Sequence, residues 1–267
     1  MTDALPPILL IGSGKMGGAM LAGWRERGIS RCVVVDPAGG VAAGDGVELV
    51  RSAADVPADF RPAAIVLAVK PQVAAQAIPQ AVGSFGDAVM LSIMAGKTVR
   101  AIEALVGTDR AVVRAMPNTP AAVRQGITVA CAGPGVTPAQ RALCHTLLEA
   151  IGVVEWVDEE ALIDPVTAVS GGGPAYVFLL AELLEKAAIE QGIPQPLARR
   201  LARVTVSGSG TLLAASEQDA ADLRIAVTSP GGTTQRALAV LMQDWPESMS
   251  RAIGAATARS RELGAQE

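Results

Sequence analysis

The sequence is poor in the side chains that most often carry metal binding and acid–base catalysis. It contains one histidine, His145, and one tyrosine among 267 residues. A zinc or iron centre needs several imidazole, thiolate or carboxylate ligands, and a Ser-His-Asp triad needs a histidine beside its nucleophile. His145 lies within "RALCHTLLEA", a helical pattern, so we interpret it as a residue on a helix face and predict no metal site.

Cysteines are also few. Cys32, Cys131 and Cys144 are odd in number, far apart in the chain and surrounded by apolar or small residues. This pattern predicts buried, reduced thiols rather than disulfides or metal ligands.

Positive charge is scarce, and the net charge is −4. The chain has no cluster of lysine and arginine, which a protein that binds nucleic acid needs to contact phosphates. No uninterrupted apolar run is long enough to span a bilayer, and the N-terminal "MTDALPP" lacks the basic residues of a secretory signal. We therefore expect a cytoplasmic protein that binds neither nucleic acid nor membrane.

What the first part of the sequence does contain is a series of short apolar runs separated by helical patterns. Runs without alternation are typical of strands buried on both faces, as in a parallel sheet covered by helices. The pattern predicts a Rossmann-type, doubly wound α/β domain. The predicted strands are Ile8–Ile11, Cys32–Val35, Ala64–Val69, Val89–Ile93 and Ala111–Arg114, with Ile127–Cys131 and Val153–Val157 extending the sheet.

The second part of the sequence contains only helical patterns. We predict a dinucleotide-binding domain over residues 1–164 and an all-helical domain over residues 165–267. The segment "AYVFLLAELL" is apolar almost all round, so we expect another subunit to cover it. A central helix in a monomer is the alternative. The predicted helices span residues 174–191, 196–215, 219–227, 233–242 and 246–263.

A glycine-rich turn follows the first predicted strand and opens a helix, in "ILLIGSGKMGGAM". Gly12 allows the tight turn, Gly14 lets a pyrophosphate approach the backbone, and Gly17 lets the helix pack close to the strand. The helix N-terminus adds free N–H groups and a partial positive charge. This context predicts a dinucleotide site. A methyltransferase that binds S-adenosylmethionine is a rival, although an appended helical domain fits it poorly.

Asp36 comes directly after the second predicted strand. There an acidic side chain can accept hydrogen bonds from the adenosine ribose and would repel a 2′-phosphate, which favours NAD over NADP. The alternative is a solvated aspartate that begins a turn before Pro37.

A second glycine-rich turn, "SPGGTT", opens a helix near the C-terminus. Backbone N–H groups and the helix dipole can hold an anion there without lysine or arginine. Thr233 and Thr234 can cap the helix and donate hydroxyls. We predict a second anion site; an ordinary capped helix is the alternative.

The motifs "IGSGKMG", "AVKPQ", "MPNTP", "SGGGPAY" and "SPGGTT" occur in an order and spacing that resemble the pyrroline-5-carboxylate reductase family. The resemblance runs from about Ile8 to Leu263. It implies reduction of L-1-pyrroline-5-carboxylate to L-proline with NADPH or NADH, the last step of proline biosynthesis. It also implies a Rossmann domain joined to a helical dimerisation domain, with dimers that often assemble into decamers.

The resemblance also implies roles for individual residues. Pyrophosphate binding is implied for Ile11, Gly12, Ser13, Gly14, Lys15, Met16 and Gly17. Contact with the nicotinamide side of the cofactor is implied for Ala68, Val69, Lys70, Pro71 and Ala95, with Asp55 near the adenosine. Binding of the substrate carboxylate is implied for Ser229, Gly231, Gly232, Thr233 and Thr234. Thr234 would also face the ring nitrogen as the catalytic residue, and Glu160 and Glu217 match acidic positions associated with the substrate.

Two further functions remain as alternatives, one an oxidoreductase and one not an enzyme. A β-hydroxyacid dehydrogenase places a lysine about one turn into the helix after its glycine motif, whereas the first lysine after Gly171 is Lys186. A non-catalytic NAD(P)-sensing protein would have no need of a second anion site. We interpret the sole tyrosine, Tyr176, as a packed residue rather than a proton donor.

Overall fold

The computed structural model describes residues 5–83 and 85–265, and the chain forms two compact units. The first unit contains the described residues up to Gly171 together with those from Ala256 onward. The second unit is Gly172–Ala255.

The first unit is built on an eight-stranded sheet with the order β3-β2-β1-β4-β5-β6-β7-β8. All neighbouring strands are parallel except β6 and β7, which are antiparallel. The strand order reverses at β1, which lies between β2 and β4, and this is the switch point where α/β folds bind ligands. The strands are β1 (Ile8–Ile11), β2 (Cys32–Val35), β3 (Val47–Val50), β4 (Ala64–Leu67), β5 (Val89–Ser92), β6 (Val112–Met116), β7 (Gly126–Ala132) and β8 (Gly152–Val157).

Helices cover both faces of this sheet. Leu10 on one face belongs to the core cluster that contains Trp24, and Leu9 on the other face belongs to the cluster that contains Ile78 and Ile102. The predicted doubly wound α/β fold is therefore confirmed. The helices of this unit are α1 (Lys15–Glu26), α2 (Ala74–Val82), α3 (Val99–Val106), α4 (Pro138–Glu149) and α5 (Ile163–Val166), followed by a π-helical turn at Thr167–Gly171.

Strand β3 is not among the strands predicted from the sequence. Its residues, "VELV", include the exposed Glu48, and the strand forms the edge of the sheet beside β2. An edge strand that is only partly buried lacks the continuous apolar run that identified its neighbours.

The second unit is helical, and it contains α6 (Gly173–Glu190), α7 (Gln195–Ala215), α8 (Ala220–Ala226) and most of α9 (Thr233–Ala265). The prediction of two helices separated near Pro246 is wrong, because α9 runs through this proline as one helix of 33 residues. Proline lacks an N–H and so removes one hydrogen bond from a helix, but the residues on both sides of Pro246 remain helical.

The apolar surface of α6 is largely exposed in the single chain. None of its residues is buried, and Phe178 keeps 67% of its surface accessible. The continuous helical run Glu160–Glu190 is long and apolar enough to cross a membrane by length and composition, contrary to the expectation from the sequence; one such helix is weak evidence for a membrane span. A helix this apolar needs a covering surface.

Gly23 provides a test of the packing of α1. A Cβ atom at this position would lie 2.3 Å from the carbonyl oxygen of Ala150, so the two backbones approach too closely for alanine. Gly23→Ala should lower the free energy of unfolding by about 2 kcal/mol through overpacking, although the same change inside a helix normally stabilises by about 1 kcal/mol. Denaturant unfolding measures the effect.

Gly83→Ala is the matched control, since a Cβ there would lie at an ordinary 3.7 Å from the Pro79 oxygen. If Gly23→Ala proved as stable as the unmodified chain, the close packing of α1 would be incorrect.

Candidate active site

The first glycine turn lies at the switch point of the sheet. Gly12 follows β1 with a φ of +91°, and a Cβ atom on it would lie 2.9 Å from the carbonyl oxygen of Ala68. A Cβ on Gly17 would lie 2.3 Å from the Gly12 oxygen and 3.1 Å from the Cβ of Ala68. Glycine is therefore required at both positions, and the turn packs directly against the chain that leaves β4.

Gly14 differs from these two glycines because it faces open space. It is exposed at the N-cap of α1, and a Cβ there would meet nothing within 4 Å. No side chain among residues 5–83 and 85–265 caps this helix by a hydrogen bond. The amide groups of its first turn are therefore available to a ligand, and no atom within 4 Å of a Cβ on Gly14 would block an anion from this helix N-terminus.

Asp36 lies beside this turn at the end of β2. Its Oδ2 atom accepts hydrogen bonds from the Ser13 amide at 2.7 Å and the Ser13 hydroxyl at 2.6 Å, and its Oδ1 atom accepts one from the Ala38 amide at 2.9 Å. Partial burial raises the pKa of Asp36, but the hydrogen bonds from Ser13, Ala38 and Gly39 together outweigh it and lower the pKa below its ordinary value. Asp36 is thus a fixed carboxylate rather than only a solvated turn residue.

The other residues predicted to contact a cofactor fall into two groups. Ala68 and Val69 lie against Gly12, since the Ala68 amide donates to the Ile11 oxygen at 2.9 Å and a Cβ on Gly12 would lie 3.0 Å from Val69 Cγ1. They are followed by Lys70, which is exposed, and by Pro71, which opens a short 3₁₀ turn.

Ala95 and Asp55 follow other strands. Ala95 is exposed after β5, the neighbour of β4. Asp55 follows the edge strand β3, and its Oδ2 accepts hydrogen bonds from the Ser52 hydroxyl at 2.8 Å and the Ser52 amide at 3.2 Å. Its carboxylate therefore caps its own turn.

Glu160 takes part in a buried ionic cluster that sequence reasoning missed. Its Oε1 lies 2.8 Å from Nη1 of Arg114, a side chain only 5% exposed, and accepts a hydrogen bond from the Val99 amide at 2.8 Å. Arg114 Nη2 also lies 3.9 Å from Asp164 Oδ1, which accepts a hydrogen bond from the Ser260 hydroxyl at 2.7 Å. The cluster joins β6, the start of α3 and the last turns of α9. An arginine inside an apolar run was the available signal, because buried arginines need acidic partners.

The second glycine turn lies in the second unit, before α9. Gly231 has a φ of +74°, and its amide donates to Gln235 Oε1 at 2.7 Å. The Gly232 amide donates to the Ser229 oxygen at 3.0 Å. Thr233 and Thr234 are exposed in the first turn of the helix, where backbone amides have no intrahelical acceptor. Sequence reasoning gave no role to Gln235, whose amide oxygen occupies the Gly231 donor.

Glu217, the other acidic residue predicted near the substrate, is exposed between α7 and α8 in the second unit. Tyr176 is partly buried near the start of α6.

The histidine and the cysteines, which could have formed a metal or redox centre, are instead hydrogen-bonded or buried in the fold. His145 lies on α4, and its Nδ1 accepts a hydrogen bond from Trp156 Nε1 at 3.2 Å. All three cysteines are free and buried, as predicted, and burial raises the pKa of Cys144 to about 12. Within the described ranges, no group of three or more His, Cys, Asp or Glu side chains could hold a metal ion.

Two family models match the chain. The model described as "NADP oxidoreductase coenzyme F420-dependent" covers residues 7–96, which include the first glycine turn and Asp36. The model described as "Pyrroline-5-carboxylate reductase dimerisation" covers residues 160–263, which include the apolar helix α6. The second match supports self-association of the chain.

Individual relatives match over nearly the full length. A pyrroline-5-carboxylate reductase of Pseudomonas aeruginosa is 38% identical over 98% of both chains. The solved structure of a pyrroline-5-carboxylate reductase from Coxiella burnetii is 32% identical, covers 97% of this chain and 98% of its own, and has a TM-score of 0.86. That of Plasmodium falciparum pyrroline carboxylate reductase with NADP bound is 26% identical, covers 97% and 99%, and has a TM-score of 0.81.

The Rossmann unit and the glycine turn at its switch point define an NAD(P)H-dependent oxidoreductase, and the comparisons agree. With the identities and coverage above, the chain belongs to the pyrroline-5-carboxylate reductase family.

Gly14→Val should separate nucleotide binding from folding. The added side chain enters open space, so the melting temperature should change by no more than about 2 °C, while the valine blocks the backbone approach that pyrophosphate needs. Fluorescence titration should show at least about a 100-fold weaker affinity for NADH, which corresponds to about 2.7 kcal/mol.

Gly17→Val is the comparison variant, because its Cβ would meet the Gly12 oxygen at 2.3 Å and should destabilise the fold itself. Unchanged NADH affinity in Gly14→Val would show that the nucleotide does not bind over this turn.

Arg114→Met tests the ionic cluster. Removing the guanidinium leaves the carboxylates of Glu160 and Asp164 without their buried partner, so the free energy of unfolding should fall by about 3 kcal/mol. Arg259→Met is the control, because Arg259 pairs with Glu262 at 2.8 Å but is 58% exposed and should lose less than about 1 kcal/mol. Equal losses in the two variants would contradict the cluster.

Proposed function

We propose that the chain transfers hydride from NAD(P)H to the C=N bond of L-1-pyrroline-5-carboxylate, giving L-proline in the last step of proline biosynthesis. The observation that carries the proposal is the presence of two separate glycine turns that open helices. One follows β1 at the switch point and the other precedes α9. Each provides backbone donors for an anion, and the two expected ligands, a dinucleotide and a small carboxylate, are both anions.

On the first unit, the turn from Ile11 to Gly17 holds the pyrophosphate, with Lys15 at the first position of α1. Ala68, Val69, Lys70 and Pro71 line the nicotinamide side, with Ala95 after the next strand. Bound NAD(P)H supplies the hydride, and the protein supplies placement.

On the second unit, Ser229, Gly231, Gly232 and the amides of Thr233 and Thr234 hold the substrate carboxylate. Because the Gly231 amide already donates to Gln235 Oε1, a carboxylate that uses this donor must displace the Gln235 side chain. The amides of Thr233 and Thr234 need no such exchange, since first-turn amides have no partner within the helix.

The chemistry requires little acid–base catalysis. A cyclic imine is readily protonated, and its iminium carbon accepts hydride while the ring nitrogen keeps the proton. We assign the hydroxyl of Thr234 to the ring nitrogen, where it orients or protonates the imine. This role suits a site without histidine, since the only histidine, His145, already accepts a hydrogen bond from Trp156.

The two acidic residues expected near the substrate differ in how accessible their carboxylate oxygens are. Glu217 is exposed and its carboxylate is open to a ring N–H. Glu160 is less open to a ligand, because its Oε1 is shared by Arg114 and the Val99 amide and only Oε2 is left for one.

We further propose that the chain forms a homodimer through α6 and its neighbours, with decamers as the larger assembly, and acts in the cytoplasm. The exposed apolar side chains of α6 support a subunit interface. Against a β-hydroxyacid dehydrogenase, Lys186 lies in the second half of α6 rather than one turn after its start.

Purified protein should consume NADH or NADPH only when L-1-pyrroline-5-carboxylate is added. Thr234→Ala should lower kcat by about 100-fold, at the low end of general acid catalysis, while the affinity for NADH stays unchanged. Thr234→Ser should retain most of the activity because it keeps the hydroxyl. Steady-state kinetics with each cofactor measure these rates.

Thr211→Ala is the control, since Thr211 is exposed on α7 and its hydroxyl donates to the Ser207 oxygen of the same helix. Unaltered kcat and KM in Thr234→Ala would remove Thr234 from the reaction; no imine-dependent oxidation by the unmodified protein would refute the proposed function.

A further inference from the structure

The end of β2 carries the features that distinguish NADH from NADPH, two nucleotides that differ by a phosphate on the adenosine ribose. The ribose 2′-hydroxyl of NADH can donate a hydrogen bond, whereas the 2′-phosphate of NADPH is an acceptor with about two negative charges. A carboxylate beside the ribose favours the first, and a cation favours the second.

Asp36 is held rigidly at this place. Three hydrogen bonds of 2.6 to 2.9 Å from Ser13 and Ala38 fix both carboxylate oxygens. The Gly12 amide donates to the Val35 oxygen at 2.9 Å, which ties the end of β2 to the start of the glycine turn. The carboxylate therefore cannot swing away from a phosphate without losing these bonds. Its lowered pKa keeps it ionised at neutral pH.

The loop after Asp36 adds no positive charge. Residues 37–46, "PAGGVAAGDG", contain no lysine or arginine and add a second carboxylate at Asp45. A 2′-phosphate beside Asp36 would therefore meet its carboxylate and no basic side chain from residues 37–46.

Three cations lie near these elements, and their positions decide whether they could attract a 2′-phosphate. Arg25 is directed to the loop backbone, where its Nη2 donates to the Ala42 carbonyl. Lys15 lies at the first position of α1, where the pyrophosphate common to both nucleotides is expected. Arg51 follows β3 and is exposed; it lies next to Asp36 in register, because the Asp36 amide donates to the Val50 oxygen at 3.0 Å.

Of these three cations, Arg51 is the one whose charge could attract the 2′-phosphate that Asp36 repels. Exposed ion pairs contribute little, because water and salt screen them and the long side chain must be immobilised. The carboxylate of Asp36 is already fixed and partly buried, so its repulsion is screened less.

We propose that Asp36 makes this chain selective for NADH over NADPH. The proposal rests on the proposed function only in placing a nicotinamide nucleotide on the first glycine turn. It also distinguishes the chain from its Plasmodium falciparum neighbour, whose structure holds NADP.

Binding of the adenosine halves tests the proposal without any catalysis. Isothermal titration with ADP-ribose and with 2′-phospho-ADP-ribose should show at least about a 10-fold tighter Kd for ADP-ribose in the unmodified protein. Asp36→Asn keeps the size of the side chain and should bring the ratio of the two Kd values to within about 3-fold of one. Asp45→Asn, in the same loop, should leave the ratio unchanged, because Asp45 is exposed and asparagine tolerates its φ of +51°.

Two results would overturn the proposal. One is equal or tighter binding of 2′-phospho-ADP-ribose by the unmodified protein together with its loss in Arg51→Ala, which would make Arg51 dominant. The other is an unchanged Kd ratio in a folded Asp36→Asn protein.

The unmodified protein alone provides a second measurement if Asp36→Asn does not fold. Its kcat/KM should be at least about 10-fold higher with NADH than with NADPH, and a preference for NADPH would sink the proposal. Selective binding of ADP-ribose without reduction of the imine would instead refute only the proposed function.

Discussion

The close backbone approach at the switch point is the constraint on which the nucleotide site depends. Gly12 and Gly17 pack so tightly on each other and on Ala68 that a side chain at either glycine would collide with backbone. This packing sets the first turn of α1 directly over the end of β1 with Gly14 open above it. This packing positions the first-turn amides that we propose bind pyrophosphate. The same turn brings Ser13 to Asp36, so it fixes both the proposed phosphate site and the carboxylate that we propose lies beside the ribose.

A second constraint is the buried charge of Arg114. A guanidinium within a central strand is tolerated because Glu160 and Asp164 neutralise it. The pairing also stabilises the start of α3, since Glu160 accepts from the Val99 amide. Segments far apart in the chain are therefore joined through one side chain, and the loop Met94–Thr98 is held at its far end.

Much of the fold could be predicted because the buried strands are apolar without interruption. The edge strand β3 could not, since it is short and only partly buried, and the exposed Glu48 interrupts its apolar pattern. The continuity of α9 through Pro246 was not predicted either, because proline usually ends a helix. This helix of 33 residues tolerates the one backbone hydrogen bond that Pro246 cannot donate. The glycine turns were visible from their residues alone. The partners of Glu160 and Gln235 were not. The Glu160–Arg114 bond joins side chains distant in sequence, and Gln235 accepts from the Gly231 backbone amide within its own turn; neither leaves a periodic signal.

Direct hydride transfer is the central claim, and isotope labelling tests it most directly. The protein would be incubated with NADH carrying deuterium at both C4 positions of the nicotinamide and with unlabelled L-1-pyrroline-5-carboxylate, and the product analysed by mass spectrometry and NMR. The expected result is L-proline with one deuterium, located at C5, because the hydride passes straight from cofactor to the iminium carbon. Proline without deuterium, or labelled NADH that is not consumed when the imine is present, would contradict the proposed reaction.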